Sequence, residues 1–479
     1  MHILLRHFLL IKKRKIQGRT KLAKKAWGGR FKKSISKIAE EFSESVSFDQ
    51  RLYDEDIRGS IAHVKMLSKQ KIIPSKDAVK IVNGLNSIKK EIESGKFPFR
   101  QELEDIHLNI EKRLIEKIGK VGGKIHTARS RNDQVLVDIR LYLKAEGDEI
   151  LKLINKLNSQ FVKLAEKNID LALPLYTHMQ RGQPVLLSHH MLAYFEMFER
   201  DSQRFSDCLK RININPLGCG AGAGTSFPID RNHTANALGF DGVSKNSIDT
   251  VSDRDFIAEF IFCCSTLMMH FSRLSEELVL WSSKEFDFAD LGDEFTTGSS
   301  IMPQKRNPDM AELTRGKVAR VYGSLNSIMT LLKGLPLSYN RDLQEDKEPL
   351  FDAIDTVKSC LELNTEMLKK IRFNKDAMEA ALSGGFITAT DIADYLTRKG
   401  MPFRDAHEVS GKIVSYAEDK GKELEDLDFK EIKKFSKLIE VDIFEYISVR
   451  GSIESRSSYG GTATDNVRKM ITQARKKLK

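Results

Sequence analysis

A loop between two long helical segments is the key to this sequence: Gly298-Ser299-Ser300-Ile301-Met302-Pro303-Gln304-Lys305-Arg306-Asn307-Pro308-Asp309. Its two prolines cannot sit inside a helix, so residues 298–309 are predicted to form a mobile polar loop, called here the 298–309 loop. A serine beside flexible glycine, followed by cations and an amide, suits abstraction of a proton next to a carboxylate. Taken alone, the same residues also fit a solvated basic turn.

Apolar residues recur at steps of three, four or seven in four long segments, which is the pattern of one helix face. The four stripes begin at Ile139, Leu187, Phe256 and Val318. The most regular stripe contains Phe256, Phe260, Cys263, Leu267, Phe271, Leu274, Leu278 and Trp281. Stripes of this length exceed the need of a small core, and no alternating strand pattern competes with them. They predict an all-α fold with a central bundle, buried within the chain and pooled between subunits.

A chain of 479 residues is too long for one compact core, so several domains are expected. The changes in pattern predict a leader and three mainly helical domains. The predicted bounds are 1–26 for the leader, 27–130 for an N-terminal domain, 131–383 for the central bundle with the 298–309 loop, and 384–479 for a small C-terminal domain.

The formal net charge of +11 suggests nucleic acid as a partner only at first sight. Residues 1–26 contain nine Lys and Arg and no acid, so the remainder carries only +2. The apolar run 3–11 is too short to span a bilayer and lacks a secretory cleavage site. A transit peptide, an over-extended translation start and a disordered tail remain alternatives for this leader. We therefore expect neither nucleic acid nor membrane as a partner.

The five cysteines form no CxxC pair and no cluster with histidine, which is typical of a reducing compartment. The sequence thus predicts a cytoplasmic protein without a structural metal.

Four further polar clusters lie near the ends of predicted helices, at 129–134, 177–184, 215–225 and 339–347. The first opens a helix and contains two arginines, so it could bind carboxylates or simply cap the helix. His178 in the second could transfer a proton, or bond locally. The third is rich in glycine but follows a helix, so an anion site and a close-packed turn both remain open. The fourth also fits a solvated connection. Helix ends that meet would combine these clusters into one charged pocket.

The 298–309 loop resembles the signature loop of the fumarase/aspartase superfamily, and its Met-Pro-Gln-Lys-Arg-Asn-Pro-Asp form is similar to that of the argininosuccinate lyase family. The four other clusters and Trp27-Gly28-Gly29-Arg30-Phe31 resemble the same family, so the resemblance extends from about residue 27 to the C-terminus. It implies reversible β-elimination of argininosuccinate to L-arginine and fumarate, without metal or organic cofactor. It also implies a homotetramer in which three subunits build each active site.

The resemblance implies roles for thirteen residues. Ser299 would be the proton-abstracting base, and His178, held by Glu312, would be the second acid–base group. Lys305 and Asn307 would stabilise the carbanion and bind a carboxylate. The implied substrate contacts are Ser45, His107, Arg131, Asn132, Thr177, Asn307, Tyr339, Gln344 and Lys347. Among them, Arg131 and His107 would be supporting residues.

Several rival functions share this scaffold. Adenylosuccinate lyase, aspartase and fumarase are alternatives within the superfamily, but the form of the 298–309 loop together with the 129–134 cluster favours the argininosuccinate lyase family. A non-catalytic structural relative, as in lens crystallins, is another alternative, against which the intact Ser299, His178 and Lys305 argue. A basic helical nucleic-acid binder would keep its affinity for DNA after deletion of residues 1–26, and we expect none.

Overall fold

The computed structural model describes residues 35–478. The predicted leader and the Trp27 to Phe31 stretch lie outside these residues. Within them the chain forms nineteen α-helices, six short 3-10 helices and eight strands that pair only two by two. The predicted all-α class is confirmed.

The N-terminal region is a helical core with short helices in front of it. Its apolar centre lies between the third, fourth and fifth helices and includes Leu67, Ile81, Leu85 and Leu114. The helices are α1 Lys37–Ser43, α2 Val46–Asp49, α3 Tyr53–Lys69, α4 Ser75–Glu93 and α5 Ile106–Ile118. The 3-10 helices are Gln50–Leu52, Gln101–Leu103 and Gly119–His126.

One buried histidine makes this region sensitive to acid. His63 on α3 is 1% exposed, and its Nε2 lies 2.8 Å from the carbonyl oxygen of Thr127. Burial, reinforced by the Arg129 guanidinium, lowers the pKa of His63 to about 3, so the folded protein holds the ring neutral. The unfolded chain takes up a proton below about pH 6.5. The stabilising effect is therefore complete above that pH and is lost as the pH falls towards 3.

We expect the free energy of unfolding to fall between pH 7.5 and pH 5.5 by about 1.4 kcal/mol more in the wild type than in His63→Gln. Glutamine can still donate to Thr127 but cannot titrate. Urea unfolding at the two pH values measures the difference. His407→Gln, which changes an exposed histidine, is the control. An equal pH dependence of wild type and His63→Gln would contradict the interpretation.

The central bundle contains the predicted long helices. All eight members of the most regular stripe, from Phe256 to Trp281, are buried, as predicted. The stripes that begin at Ile139, Leu187 and Val318 belong to the same apolar core. The helices are α6 Arg131–Lys167, α7 Leu187–Ile212, α8 Arg231–Leu238, α9 Ser247–Ser252, α10 Asp255–Trp281, α11 Asp309–Leu332 and α12 Lys347–Lys370.

Helix α10 is long and apolar enough, by length and composition alone, to cross a membrane. In the fold, however, 61% of its most apolar window is buried inside the protein. Its side chains pack against α7, α11 and α12, so we interpret it as the core helix of the bundle.

The strands are short connections between helices. The longest pair, β1 Ala172–Thr177 and β2 Gln180–Leu186, is an antiparallel hairpin between α6 and α7 that the sequence did not predict. The strands β3 Ile214–Asn215 and β4 Gly242–Val243 pair in parallel. The antiparallel pairs are β5 Ala289–Asp290 with β8 Arg372–Phe373, and β6 Thr297–Gly298 with β7 Arg306–Asn307. The last pair closes the base of the 298–309 loop.

The C-terminal region has a small apolar core of its own, which includes Ile392, Leu396, Ile413 and Ile443. The helices are α13 Lys375–Leu382, α14 Ala389–Arg398, α15 Phe403–Asp419, α16 Phe429–Lys433, α17 Ile443–Tyr446, α18 Val449–Ser455 and α19 Thr464–Lys477. The last helix, although it falls within the predicted 384–479 domain, packs back on α6 and α7 of the central bundle. The domain bounds themselves stay predictions.

Candidate active site

A cavity of about 520 Å³ lies where the N-terminal ends of α5, α6 and α12 converge. Helix N-termini carry unpaired N–H groups and a partial positive charge, which favour bound carboxylates. The cavity collects seven of the thirteen residues implied by the family resemblance, and we call it the helix-end cavity. They are Ser45, His107, Arg131, Asn132, Tyr339, Gln344 and Lys347.

The lining of the helix-end cavity carries both signs of charge. Asp49, Glu104, Asp105 and Glu111 supply carboxylates. The cations are Arg131, Arg341 and Lys347. Such a lining suits a ligand that is itself zwitterionic, with carboxylates and a cationic nitrogen group.

The sequence analysis did not include Asp49 and Asp105 of this lining, and it included Arg341 only as a member of the 339–347 cluster without a role. Asp49 accepts from the Ser45 hydroxyl at 2.6 Å and from the backbone N–H of Ile106 at 3.0 Å, so it joins two walls of the cavity. Its position four residues after Ser45, on the same helix face, was the available signal. Burial raises the pKa of Asp49 to about 6.

Arg341 closes the rim of the cavity. It donates to Glu104 at 2.7 Å and to the carbonyl oxygen of Ser43 at 2.6 Å. The segment that leads into α12 is therefore attached to the chain in front of α2.

Lys347 is fixed from behind by a buried ion pair. It is 4% exposed and donates to Asp346 at 2.8 Å, while the fully buried Arg254 donates to the other oxygen of Asp346 at 2.6 Å. A lysine ammonium has three donors, so two remain for other acceptors.

The glycine-rich cluster at 215–225 serves the start of α6. The backbone N–H groups of Gly218 and Gly220 donate to Asp133 at 3.0 and 2.9 Å, and Asn132 donates to the carbonyl oxygen of Ala221 at 3.2 Å. Gly220 has a φ of +58°, and a Cβ there would lie 2.5 Å from the oxygen of Gly224. The sequence left two interpretations open for this cluster, an anion site and a close-packed turn. The structure shows the turn, because the Asp133 carboxylate already accepts from the N–H groups of Gly218 and Gly220.

Ser299 lies at the start of the exposed 298–309 loop. Its Oγ accepts from the backbone N–H of Met302 at 3.1 Å and from that of Ile301 at 3.3 Å. Two donors aimed at a hydroxyl oxygen stabilise negative charge on it. Lys305 and Asn307 follow in the same loop. Arg306 anchors the loop by donating to Asp290 at 3.0 Å.

Thr177 and His178 lie exposed at the tip of the β1–β2 hairpin. The two turn residues, His178 and Met179, have φ values of 53° and 58°. Left-handed backbone is unfavourable for residues other than glycine, and where it persists it often marks a functional position.

Glu312 lies in the first turn of α11 and is 3.9 Å from Arg315. Among the hydrogen bonds of residues 35–478, none joins Glu312 to His178. The implied pairing of these two residues stays a prediction, since one chain does not test a contact between subunits.

The hairpin tip and the helix-end cavity lie far apart in one chain. Helix α6 has 37 residues, and its ends are roughly 54 Å apart at about 1.5 Å per residue. His178 follows the far end by eleven residues, which span at most about 40 Å. The Cα atoms of His178 and Arg131 are therefore at least about 14 Å apart, and the lining of the helix-end cavity contains no residue of the hairpin.

The 298–309 loop is also remote from the helix-end cavity. Lys347 is the first residue of α12, whose 24 residues span roughly 36 Å. Just beyond the other end of α12, Arg372 donates at 2.6 Å to Asp290, the residue that anchors Arg306. Because Gly298 pairs with Arg306, the adjacent Ser299 lies at that end too. One chain thus carries the implied residues at two opposite ends of the bundle.

Two family models match the chain. Residues 29–323 match the model described as lyase, and residues 386–454 match the one described as argininosuccinate lyase C-terminal. The argininosuccinate lyase of Geotalea daltonii is 57% identical over 451 residues, which cover 94% of this chain and 98% of the relative. That of Symbiobacterium thermophilum is 56% identical over 450 residues, again 94% and 98% of the two chains.

Solved structures share the fold. EDDS lyase in complex with formate superimposes with a TM-score of 0.82 at 28% identity, over 92% of this chain and 88% of that one. Class II fumarase from Schistosoma mansoni has a TM-score of 0.71 at 17% identity, over 86% and 93% of the two chains, and shows the fold alone.

The helical bundle, the 298–309 loop and the match of residues 29–323 define a lyase. Within that class the C-terminal match and the near full-length identities above 50% decide the branch. The chain belongs to the argininosuccinate lyase family.

Proposed function

We propose that this lyase cleaves argininosuccinate reversibly to L-arginine and fumarate in a site that combines the helix-end cavity of one chain with the 298–309 loop and the hairpin tip of others. The observation that carries the proposal is the helix-end cavity, which gathers seven implied substrate contacts and charges of both signs. Its acidic groups suit the arginine part of the substrate, and its cations suit carboxylates.

In the proposed reaction Ser299 takes a proton from the succinyl carbon next to a carboxylate, and the electron pair moves into that carboxylate. A well-placed donor to the resulting dianion stabilises it by roughly 3 kcal/mol, which is the role of Lys305 and Asn307. The electron pair then returns to form the double bond of fumarate while the carbon–nitrogen bond breaks. The leaving nitrogen gains a proton, for which His178 is the proposed donor.

A serine hydroxyl is a weak base, so it needs stabilisation of its deprotonated form. The two backbone N–H groups that donate to Ser299 Oγ supply part of it. Closure of the loop over the substrate would exclude water and strengthen these interactions.

The proposed assembly is a homotetramer. A complete site needs both ends of the bundle, and these are far apart in one chain. The outer face of α11 also suits contact with another copy, since Gly316, Gly323 and Thr330 recur there at seven-residue steps and are exposed. A Cβ on either glycine would meet nothing within 4 Å, so another helix could approach closely.

We also propose that the protein works in the cytoplasm, without a metal or organic cofactor. All five cysteines are buried and free, which suits a reducing compartment.

Incubation with argininosuccinate tests the function directly. We expect fumarate, followed by its ultraviolet absorbance, and arginine to appear in equal amounts. Adenylosuccinate, aspartate and malate are the control substrates, and we expect no fumarate from them. Release of fumarate from one of these, with none from argininosuccinate, would assign the chain to another activity of the superfamily.

A further inference from the structure

A buried carboxylate behind the helix-end cavity links two residues of its wall. Asp56 on α3 is 1% exposed and does not line the cavity itself. One of its oxygens accepts from His107 Nδ1 at 2.9 Å and from the Gln134 side-chain amide at 2.5 Å. Burial acts against the charge, but His107 and Arg129 outweigh it and lower the pKa of Asp56 to about 2. Asp56 is therefore an ionised acceptor.

The orientation of the Gln134 amide follows from its two neighbours. Asp56 can only accept, so the NH2 group of Gln134 must face it. The Gln134 oxygen then accepts from Arg131 Nη1 at 2.6 Å. A guanidinium can only donate, so both contacts require the same orientation of the amide.

Arg131 is held in the cavity wall from two sides. Gln134 accepts from Nη1, and Asp105 accepts from Nε at 2.8 Å. Three of the five N–H donors remain for a carboxylate of the substrate. Their direction is set by the contact with Gln134, and through Gln134 by Asp56.

His107 is the second group that Asp56 fixes. Its Nδ1 faces the carboxylate, and its buried Nε2 has no hydrogen-bond partner among the described residues. A carboxylate at Nδ1 selects the tautomer that leaves Nε2 as an acceptor when the ring is neutral.

The same cluster includes Asp138, and ligand atoms of Asp56, His107 and Asp138 lie within 4.8 Å of one another. A cation could be considered there, but the buried Arg129 guanidinium already acts on both carboxylates, and the contact of His107 with Asp56 has hydrogen-bond length. Burial and the neighbouring Asp56 raise the pKa of Asp138 well above its usual value. We interpret Asp56 and His107 as a hydrogen-bonded pair beside a neutral Asp138, which lies 3.3 Å from His107 Nδ1 and whose oxygens have no hydrogen-bond partner among the described residues.

We propose that Asp56 is a positioning residue that orients His107 directly and Arg131 through Gln134. The inference rests on the proposed function, in which Arg131 and His107 serve the substrate. It adds two residues, Asp56 and Gln134, that act on the substrate only through the side chains they hold.

The sharpest test exchanges the acid and the amide. We expect Asp56→Asn and Gln134→Glu each to lower kcat/KM for argininosuccinate on the order of 100-fold, because Arg131 loses its direction. The double variant does not restore the contacts, because His107 and Gln134 meet the same oxygen of Asp56, and one amide atom cannot both accept from His107 and donate to a carboxylate at position 134. Both changes break the same chain of contacts to Arg131, so we expect the double variant to lose little more than the larger single loss, again on the order of 100-fold. A loss equal to the product of the single losses would overturn the proposal.

Asp138→Asn is the matched control, since asparagine imitates the neutral acid at the same depth. We expect it to stay within about threefold of the wild type. If Asp138→Asn lowered kcat/KM as much as Asp56→Asn, the effect would follow from any change to the buried acids of the cluster and not from the orientation of His107 and Arg131. That result would contradict the proposal.

A second pair of variants covers failure of the exchanged proteins to fold. Gln134→Met keeps the length of the side chain but neither donates nor accepts. If Gln134 acts through Arg131, the change Gln134→Met should lower kcat/KM strongly in the wild-type background. In an Arg131→Lys background it should lower kcat/KM by less than about twofold. If Gln134→Met lowered kcat/KM equally in both backgrounds, Gln134 would have only a structural role. A wild type without activity on argininosuccinate would instead refute the proposed function, whatever the variants show.

Discussion

Ser299→Ala is expected to lose nearly all turnover while the protein keeps its fold and its affinity for the substrate. The change removes the hydroxyl that takes the proton in the proposed reaction, but the helix-end cavity, which is the proposed binding site for most of the substrate, contains no residue of the 298–309 loop. Loss of a positioned base reduces kcat by roughly 100- to 10,000-fold. Stopped-time assays of fumarate measure turnover, and calorimetric titration with argininosuccinate measures binding.

Ser300→Ala is the matched control, because it removes the neighbouring hydroxyl from the same loop. We expect it to keep activity within about tenfold of the wild type. Substantial turnover in Ser299→Ala would remove Ser299 as the base. If both variants lost activity to a similar degree, the shape of the loop and not the Ser299 hydroxyl would be the essential feature.

The helical core could be predicted because burial leaves a period in the sequence. The stripe from Phe256 to Trp281 is buried at all eight positions, since every third or fourth residue of α10 faces the core. The period tells which face of a helix is buried. It does not tell which helix ends meet, so the helix-end cavity could be anticipated only as a possibility.

The β1–β2 hairpin could not be predicted, because its turn lacks the usual signal. Two-residue hairpin turns favour Asn-Gly or Asp-Gly, whereas this one is His178-Met179. The facing prolines Pro174 and Pro184 also argue against strands in a sequence. The two prolines are tolerated because this sheet has only two strands, so both are edge strands.

The buried network behind the cavity was equally invisible in the sequence. Asp56 and His107 are 51 residues apart and meet only because α3 and α5 pack together. A motif shows residues that are adjacent in the chain, and Gln134 is in sequence only the last residue of the 129–134 cluster. Its hydrogen bond to Asp56 depends on the packing of α3 against α6, whereas its hydrogen bond to Arg131, three residues before it, lies within α6.

Mixed oligomers of two inactive variants are expected to regain activity. Lys347→Ala removes a cation of the helix-end cavity, and Ser299→Ala removes the base at the other end of the bundle. Because α12 separates these residues by roughly 36 Å, one site must take them from different chains. With random exchange, half of the chains supply an intact cavity and half an intact loop, so roughly a quarter of the sites are complete. Activity after denaturation and renaturation of equal amounts measures the recovery.

Two arms decide what the recovery means. Lys347→Ala mixed with Arg131→Ala should recover far less, since both residues belong to one cavity and no intact cavity can form from these chains. Ser299→Ala mixed with His178→Ala should recover as well if the loop and the hairpin tip of a site come from different chains. Exchange is verified beforehand with two affinity tags. If exchange is complete and the mixture of Lys347→Ala with Ser299→Ala stays inactive, Ser299 and Lys347 do not serve one site, because the length of α12 already keeps them apart within a single chain.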